Sequence, residues 1–333
     1  MWIRCSLLLP VFLQAFALAW PCLAEPLVLN FSHIGAPGSL YSLSAEEFAR
    51  RVSKETNGAV QIALYPDSGL GSDTAVVTKL LTGEVDLSIL STPMSSVADE
   101  FGVFEMPFLV HDRDHVKRFR DKLVYGYLSP AAKAKGYLVL GMWELGFRHI
   151  INNQRPIEGP ESLAGLKLRV PNGNWRIKMF KAFGVDPIPM EFKDVYAGIE
   201  SGKIHGLETP LDLIYGAHLE KVQKYLTLSY HIYSPGFFVA GRAKYAQLPE
   251  NVRLVIERIA LEMQDWALAK GAELDAALVD RFRPLIAVNE CDRLAFTIQS
   301  LPIYKEYASR SPATKAVLKL VFESDFSVHS AQH

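Results

Sequence analysis

The chain has 333 residues, with 35 Lys and Arg against 36 Asp and Glu and 49% hydrophobic residues, a formal net charge of -1. That balance, with no Lys/Arg run interleaved with aromatics, excludes the basic stripe on which nucleic-acid binding depends. The length admits two ordinary domains or one large one.

At the amino terminus, Arg4 followed by LLLPVFLQAFALAW and PCLA reads as a secretory signal peptide over residues 1–24, cleaved after Ala24. Cys22 raises the alternative of a lipid anchor, but Trp20 and Pro21 are poor small-residue neighbours for lipidation. Cys5 and Cys22 leave with the signal, so Cys291 is the single thiol of the mature chain and no internal disulfide can form. No other segment approaches the ~18 consecutive apolar residues of a membrane span. The sequence thus predicts a soluble periplasmic protein.

PLVLNFSH is predicted as a strand, SLSAEEFARRVSKETNG as a helix with Ser44 and Glu47 at capping-box spacing and Gly58 as its stop, and VQIALYP as a second strand. SDTAVVTKLLTG follows as a helix with Asp73 in its first turn and Gly83 at its end, then VDLSIL as a third strand. Such a β-α-β-α-β run implies a largely parallel sheet covered by helices on both faces. Ligands of these sheets sit beyond the carboxyl ends of the strands, where His33, Ser91 and Met94 fall.

A helix starting at Asp112 comes next, then strands at YLVLGMWE and RHIINN. The pattern restarts with LKLRVP as strand, WRIKMFKAFG as helix, DPIPM as an extended link, FKDVYAGIESG as helix and KIHGLE as a short strand. Two α/β units of similar length suggest two lobes with a cleft between them. Residues 250–285 read as one long amphipathic helix, with Val252, Val255, Ile256, Ile259, Leu261 and Met263 largely on one stripe. At ~45 Å for ~30 residues it could brace both lobes.

The candidate enzyme sites are weak. His111 and His115 in HDRDH would share a helical face, as in a zinc site, but no third ligand stands at a recognisable spacing and Asp112 reads as a helix cap. There is no Gly-x-Ser-x-Gly elbow, Cys291 lies in a polar stretch, and neither GSLYSLSAEE nor GLGSD matches a Walker or dinucleotide fingerprint, so no cofactor is expected. Trp143, Phe147, Trp175 and Phe192 fall near strand ends or loops, although core packing is the commoner fate of aromatics. In LKLRVPNGNW the alternation buries Leu166, Leu168 and Val170 and turns Lys167 and Arg169 the other way. Arg169 ends its strand, and Arg148 follows the strand-like YLVLGMWELGF. Side by side, the two guanidinium groups would make a preorganised fork for a carboxylate, and Asn172 starts the loop beside them.

The chain resembles the substrate-binding proteins of TRAP transporters (tripartite ATP-independent periplasmic), DctP type. The resemblance rests on FAxxV with TNG at 48 to 58, YPDSGLGSD, TGEVDLSILS, FEMPFL, the GFR triplet ending at Arg148, LAGLKLRVP, PIPMEFKDVYAGIESGKIHGLETP and VQKYLTLSYH, in this order across the mature chain. It implies an α/β two-lobed periplasmic-binding-protein fold, type II-like, with hinge strands and a long bracing helix. The implied lobes are residues 25–146 plus about 236–276 and 147–235 plus about 277–325, with 326–333 as a tail.

The resemblance further implies that Arg169 grips a ligand carboxylate with two prongs while Arg148 approaches the same group. The family's Asp-Gly-x-Glu-Asn-Pro block reads here His205, Gly206, Leu207, Glu208, Thr209, Pro210, so Thr209 replaces an asparagine that helps hold the carboxylate. Phe192 matches an aromatic against the ligand's body, and Asp73, Ser91 and Met94 match positions that select its distal end. Sialic-acid binders carry a glutamate and an arginine where Ser91 and Met94 stand, which argues against sialic acid here. Trp143 and Trp175 could add an apolar wall suited to a smaller or partly aromatic acid. The implied role is capture of a small organic acid and its delivery to one small and one large integral-membrane subunit driven by an ion gradient. The alternatives are an exported enzyme acting on small acids, or a binding protein for a sensor or another transporter class.

Overall fold

In the computed structural model, which describes residues 25–326, nine strands form one sheet. They are β1 (Leu27–Ser32), β2 (Val60–Tyr65), β3 (Leu87–Leu90), β4 (Tyr137–Asn152), β5 (Lys167–Val170), β6 (Asp186–Pro189), β7 (Gly206–Pro210), β8 (Tyr225–Gly241) and β9 (Ala287–Glu290). Their order is β2-β1-β3-β8-β4-β7-β5-β6, with β9 beside β8. At one end β1 pairs parallel with β2 and β3, and at the other β5 pairs parallel with β6 and β7. The long antiparallel strands β4 and β8 run between these two parallel units and join them. Residues 1–24, expected as a signal peptide with two cysteines, and residues 327–333 lie outside the described residues.

The expected elements of the first unit are present: α1 (Leu40–Glu55) and α2 (Asp73–Thr82) connect the three strands. Ser72 caps α2 by accepting from the Ala75 amide, and Gly83 ends it in the left-handed region that costs glycine least. The start of α1 differs from the expected capping box. The cap is Ser39, Ser44 lies buried inside the helix, and Glu47 pairs with Arg50 and Arg51 instead. A distant acceptor sets this start, because Asp212 takes the Leu40 amide at 2.8 Å.

The two strands expected at YLVLGMWE and RHIINN are one. β4 continues through a bulge between Glu144 and Gly146, where Gly146 has φ 91 and relieves the extra residue without breaking the ladder. DPIPM is not merely a link but carries the edge strand β6, where prolines are tolerated. Further helices are α3 (Arg113–Leu123), capped by Asp112 as expected, α4 (Asn174–Ala182), α5 (Val195–Glu200) and α6 (Leu211–Gly216). The long helix α7 (Glu250–Phe282) spans 33 residues and packs chiefly along β4 and α1, with Val252, Ile256, Ile259 and Met263 buried and Leu261 turned to solvent. Finally α8 (Arg293–Ser309) and α9 (Pro312–Phe326) close the chain, α9 resting on α3. Among the described residues no helix is long and apolar enough to cross a membrane.

Candidate functional site

A cleft lies between the two parallel units, beyond the carboxyl ends of their strands, where ligands of such sheets bind. The first unit supplies Ile34, Tyr41, the start of α2 from Ser72 to Thr74, and Ser91 with Thr92 after β3. Opposite them stand Arg148 of β4, Arg169 of β5, Asn172, Glu191, Phe192 and Thr209.

β5 shows why Arg169 is there. Leu166, Leu168 and Val170 are buried in the core, Lys167 is exposed, and Arg169, 5% exposed, lines the cleft. Its Nε donates to the Met190 carbonyl at 2.8 Å, and its guanidinium lies 5.7 Å from the Phe192 ring centroid. Among the described residues no carboxylate forms an ion pair with it, whereas Arg148 and Arg176 are both so paired. Burial, with the like charge of Arg148 adding to it, lowers the Arg169 pKa to about 10. The terminal nitrogens of this guanidinium are therefore available to an anion.

Arg148 is held differently. Its Nε and Nη2 both donate to the Glu208 carboxylate, Nη2 also reaches the Glu208 carbonyl at 2.8 Å, and only Nη1 remains, 3.4 Å from Ser234 Oγ. Glu208 is fully buried behind the cleft wall rather than lining it. It also accepts from Arg176 Nη1 at 2.7 Å and sits 3.1 Å from His231 Nε2, while Arg176 Nε donates to Glu105 at 2.8 Å. Burial opposes ionisation of Glu208, but Arg148 and Arg176 outweigh it and hold the carboxyl well below the usual range. The two arginines expected to form a fork are held unequally: Arg148 is locked to a buried glutamate and Arg169 is not.

Acidic groups line both sides of the cleft, Asp73 on the first unit and Glu191 on the second. Asp73 is half-buried, with Oδ1 enclosed and lacking a hydrogen-bond partner, and burial of the carboxyl, reinforced by Glu191, raises its pKa to about 7 against the pull of Arg169. Asn172 Nδ2 donates to Glu191 at 2.9 Å and so orients that carboxylate. Thr209 Oγ1 is likewise buried and without a partner.

The structure gathers Arg148, Arg169, Thr209, Phe192, Asp73, Asn172 and Ser91 around one cleft and leaves the other candidates elsewhere. Met94 is fully buried in the apolar core, one turn beyond the lining residues. His33 stacks behind Tyr41 at 6.0 Å, and burial lowers its pKa to about 4. Trp143 is not a cleft wall: it stacks on Phe238 at 4.5 Å and its indole donates to the Ala260 carbonyl of α7, because β4 runs on through the position read as a strand end. Trp175 also packs away from the cleft, against Tyr307 and over Gly102. His205 closes the start of β7 onto Lys167, donating to its carbonyl at 2.7 Å, and does not line the cleft.

Sequence reasoning missed Tyr41, Glu191, Arg176, His231 and Glu105. Arg176 sits in WRIKMF, which carries no local sign that its charge is buried. Glu191 is adjacent to Phe192 in a quoted motif and was the one that a closer reading of charges near the loop could have found.

Relatives bear on what such a cleft does. Over 272 residues the chain is 30% identical to the 2,3-diketo-L-gulonate-binding periplasmic protein of Escherichia coli, covering 81% of this chain and 83% of that one. Over 256 residues it is 30% identical to the C4-dicarboxylate-binding periplasmic protein of Rhodobacter capsulatus, covering 76% of each. The fold matches the sugar acid binding protein of Advenella mimigardefordensis in complex with galactonate with a TM-score of 0.86 at 27% identity, over 90% of this chain and 99% of that one. These relatives are binding proteins, not enzymes. With the family model matching residues 31–310, the chain belongs to the DctP family, the bacterial extracellular solute-binding proteins of family 7.

Proposed function

We propose that the protein captures a hydroxylated monocarboxylate, a sugar acid or a related hydroxy acid, in the periplasm and delivers it to the small and large membrane subunits of a TRAP transporter. The observation that carries this reading is Arg169: a buried guanidinium, at a strand end, with no carboxylate partner among the described residues. A planar fork of this kind matches both oxygens of a carboxylate, and charge-assisted bonds of this type contribute about 1.5 to 3 kcal/mol each. Thr209 Oγ1 adds a hydrogen bond and Arg148 Nη1 a second cationic edge, while Phe192 packs against the ligand's carbon body.

The cleft carries one unmatched guanidinium, since Arg148 is neutralised by Glu208. One carboxylate satisfies it. Asp73 and Glu191, which also line the cleft, offer acceptors for hydroxyl groups of the ligand, and Lys193 stands beside Phe192 as a further cation. The galactonate complex and the diketo-gulonate relative support this class. Closure of the cleft then removes water, which strengthens each of these contacts, and the ligand favours the closed form by its higher affinity for it.

The test is calorimetric titration of residues 25–333 with aldonates, uronates and dicarboxylates. Tight binding of at least one hydroxylated monocarboxylate, with succinate weaker, is expected. Preference for a dicarboxylate would overturn the class, and no binding of any carboxylate would overturn the clamp.

A further inference from the structure

The spacing of HDRDH offers two imidazoles and no third ligand in sequence, but the fold supplies one. Asp325, near the end of α9, comes back onto the amino-terminal turn of α3, and one ligand atom each from His111, His115 and Asp325 lie within 4.8 Å of one another. We propose that these three residues form a binding site for a divalent transition-metal ion of the zinc class, which clips the carboxy-terminal helix to α3. The site is independent of the organic-acid cleft.

The geometry suits that chemistry. The two imidazole rings lie nearly parallel, 13° apart with centroids separated by 5.4 Å, His111 coming from the segment just before the Asp112 cap and His115 from the first turn of α3. His111 Nε2 is 3.3 Å from Asp325 Oδ2, close to the spacing of about 3.3 Å between two donors held some 2.0 Å from a tetrahedral zinc ion. His115 Nε2 faces the same side, 2.9 Å from the Val321 carbonyl and 3.0 Å from Ser324 Oγ, so two more oxygens lie near that nitrogen. Arg118 Nη2 lies 3.5 Å from the other oxygen of Asp325 and its Nε donates to the Ser324 carbonyl, an outer contact that aims Oδ2 at His111.

Metal on His115 Nε2 replaces that atom's hydrogen bond to the Val321 carbonyl and moves the ring proton to Nδ1, which gives up the long contact, at 3.5 Å, that it accepts from the His111 amide. His111 and Asp325 are partly exposed, which gives an ion access and lets both side chains close the remaining distance. Two nitrogens and one carboxylate oxygen, with solvent in the fourth position, select zinc, nickel or copper over calcium or magnesium.

The experiment uses the mature protein without an affinity tag, stripped with chelator and titrated calorimetrically with zinc chloride, with cobalt chloride absorbance and thermal unfolding in parallel. Expected are one equivalent of zinc, a tetrahedral cobalt spectrum and a raised unfolding midpoint. His111→Ala and Asp325→Asn, both at exposed positions, should each weaken binding by at least about tenfold and abolish the midpoint shift. Calcium chloride should do nothing. Absence of binding, binding unchanged in both variants, or binding lost instead on replacing His329 and His333 of the terminal segment would overturn the assignment.

Discussion

The cleft wall and the layer behind it are equally buried yet oppositely paired. Behind the wall, Glu208 is shared by Arg148, Arg176 and His231, and Arg176 continues to Glu105, so each of these charges has a counter-charge. At the wall, Arg169 has a carbonyl and a phenyl ring in contact and, among the described residues, no ion-paired carboxylate. The contrast separates structure from function. A buried charge that is fully matched holds β4, β7 and α4 together, whereas one left unmatched is poised for a ligand that brings the missing charge.

Breaking the matched layer should have the largest effect. Glu208→Ala leaves Arg148 buried without its carboxylate and Arg176 with Glu105 alone, and should cost about 3 to 5 kcal/mol in urea unfolding, or prevent folding. The same pairing makes the network sensitive to acid. Because the folded pKa of Glu208 lies below its unfolded value, its contribution is present above the ordinary carboxylate range and is lost as pH falls through the depressed folded value, which acid unfolding of wild type against Glu208→Gln would reveal.

Arg169→Ala makes the opposite prediction. It removes an unpaired buried charge, so stability should be unchanged or higher, while affinity for the acid should drop at least about 100-fold, the loss of two charge-assisted bonds. Arg169→Lys should bind almost as poorly, because a point charge cannot replace a planar fork. Calorimetry paired with thermal unfolding separates the two readouts.

The acidic lining should respond to pH. Asp73 is raised from 3.8 to about 7, so its contribution to stability is present at low pH and is lost as pH rises through about 7. A bound anion favours the protonated form further, and affinity should therefore fall above pH 7 by up to about tenfold per unit. Asp73→Asn should flatten that profile. The smallest effect is expected from Gly173→Ala, whose new Cβ would stand 2.6 Å from Thr92 Cγ2 across the cleft. It should loosen the closed form and weaken binding a few-fold, with circular dichroism unchanged.

What the sequence conveyed follows from how local each signal is. Alternation in LKLRVP sufficed to turn Arg169 from the core, and glycine and serine signals bounded α2, because both depend on adjacent residues only. The capping of α1 by Asp212, 172 residues away, has no local trace. Trp143 was read as lying near a strand end, whereas the positive φ of Gly146 lets β4 bulge and continue past it. Arg176 and Glu105 look like surface charges until the fold brings them together. Helices α8 and α9 escaped assignment: Leu294, Ile298 and Leu301 of α8 are exposed, so its apolar positions do not trace one buried stripe.

The central claim is that Arg169 is unpaired in order to hold a ligand carboxylate, and titration of one hydroxylated monocarboxylate, galactonate, into wild type and Arg169→Ala tests it most directly. The account predicts saturable one-to-one binding to the wild type and none to a variant that unfolds at the same temperature or higher. Equal affinity in the two proteins would contradict it.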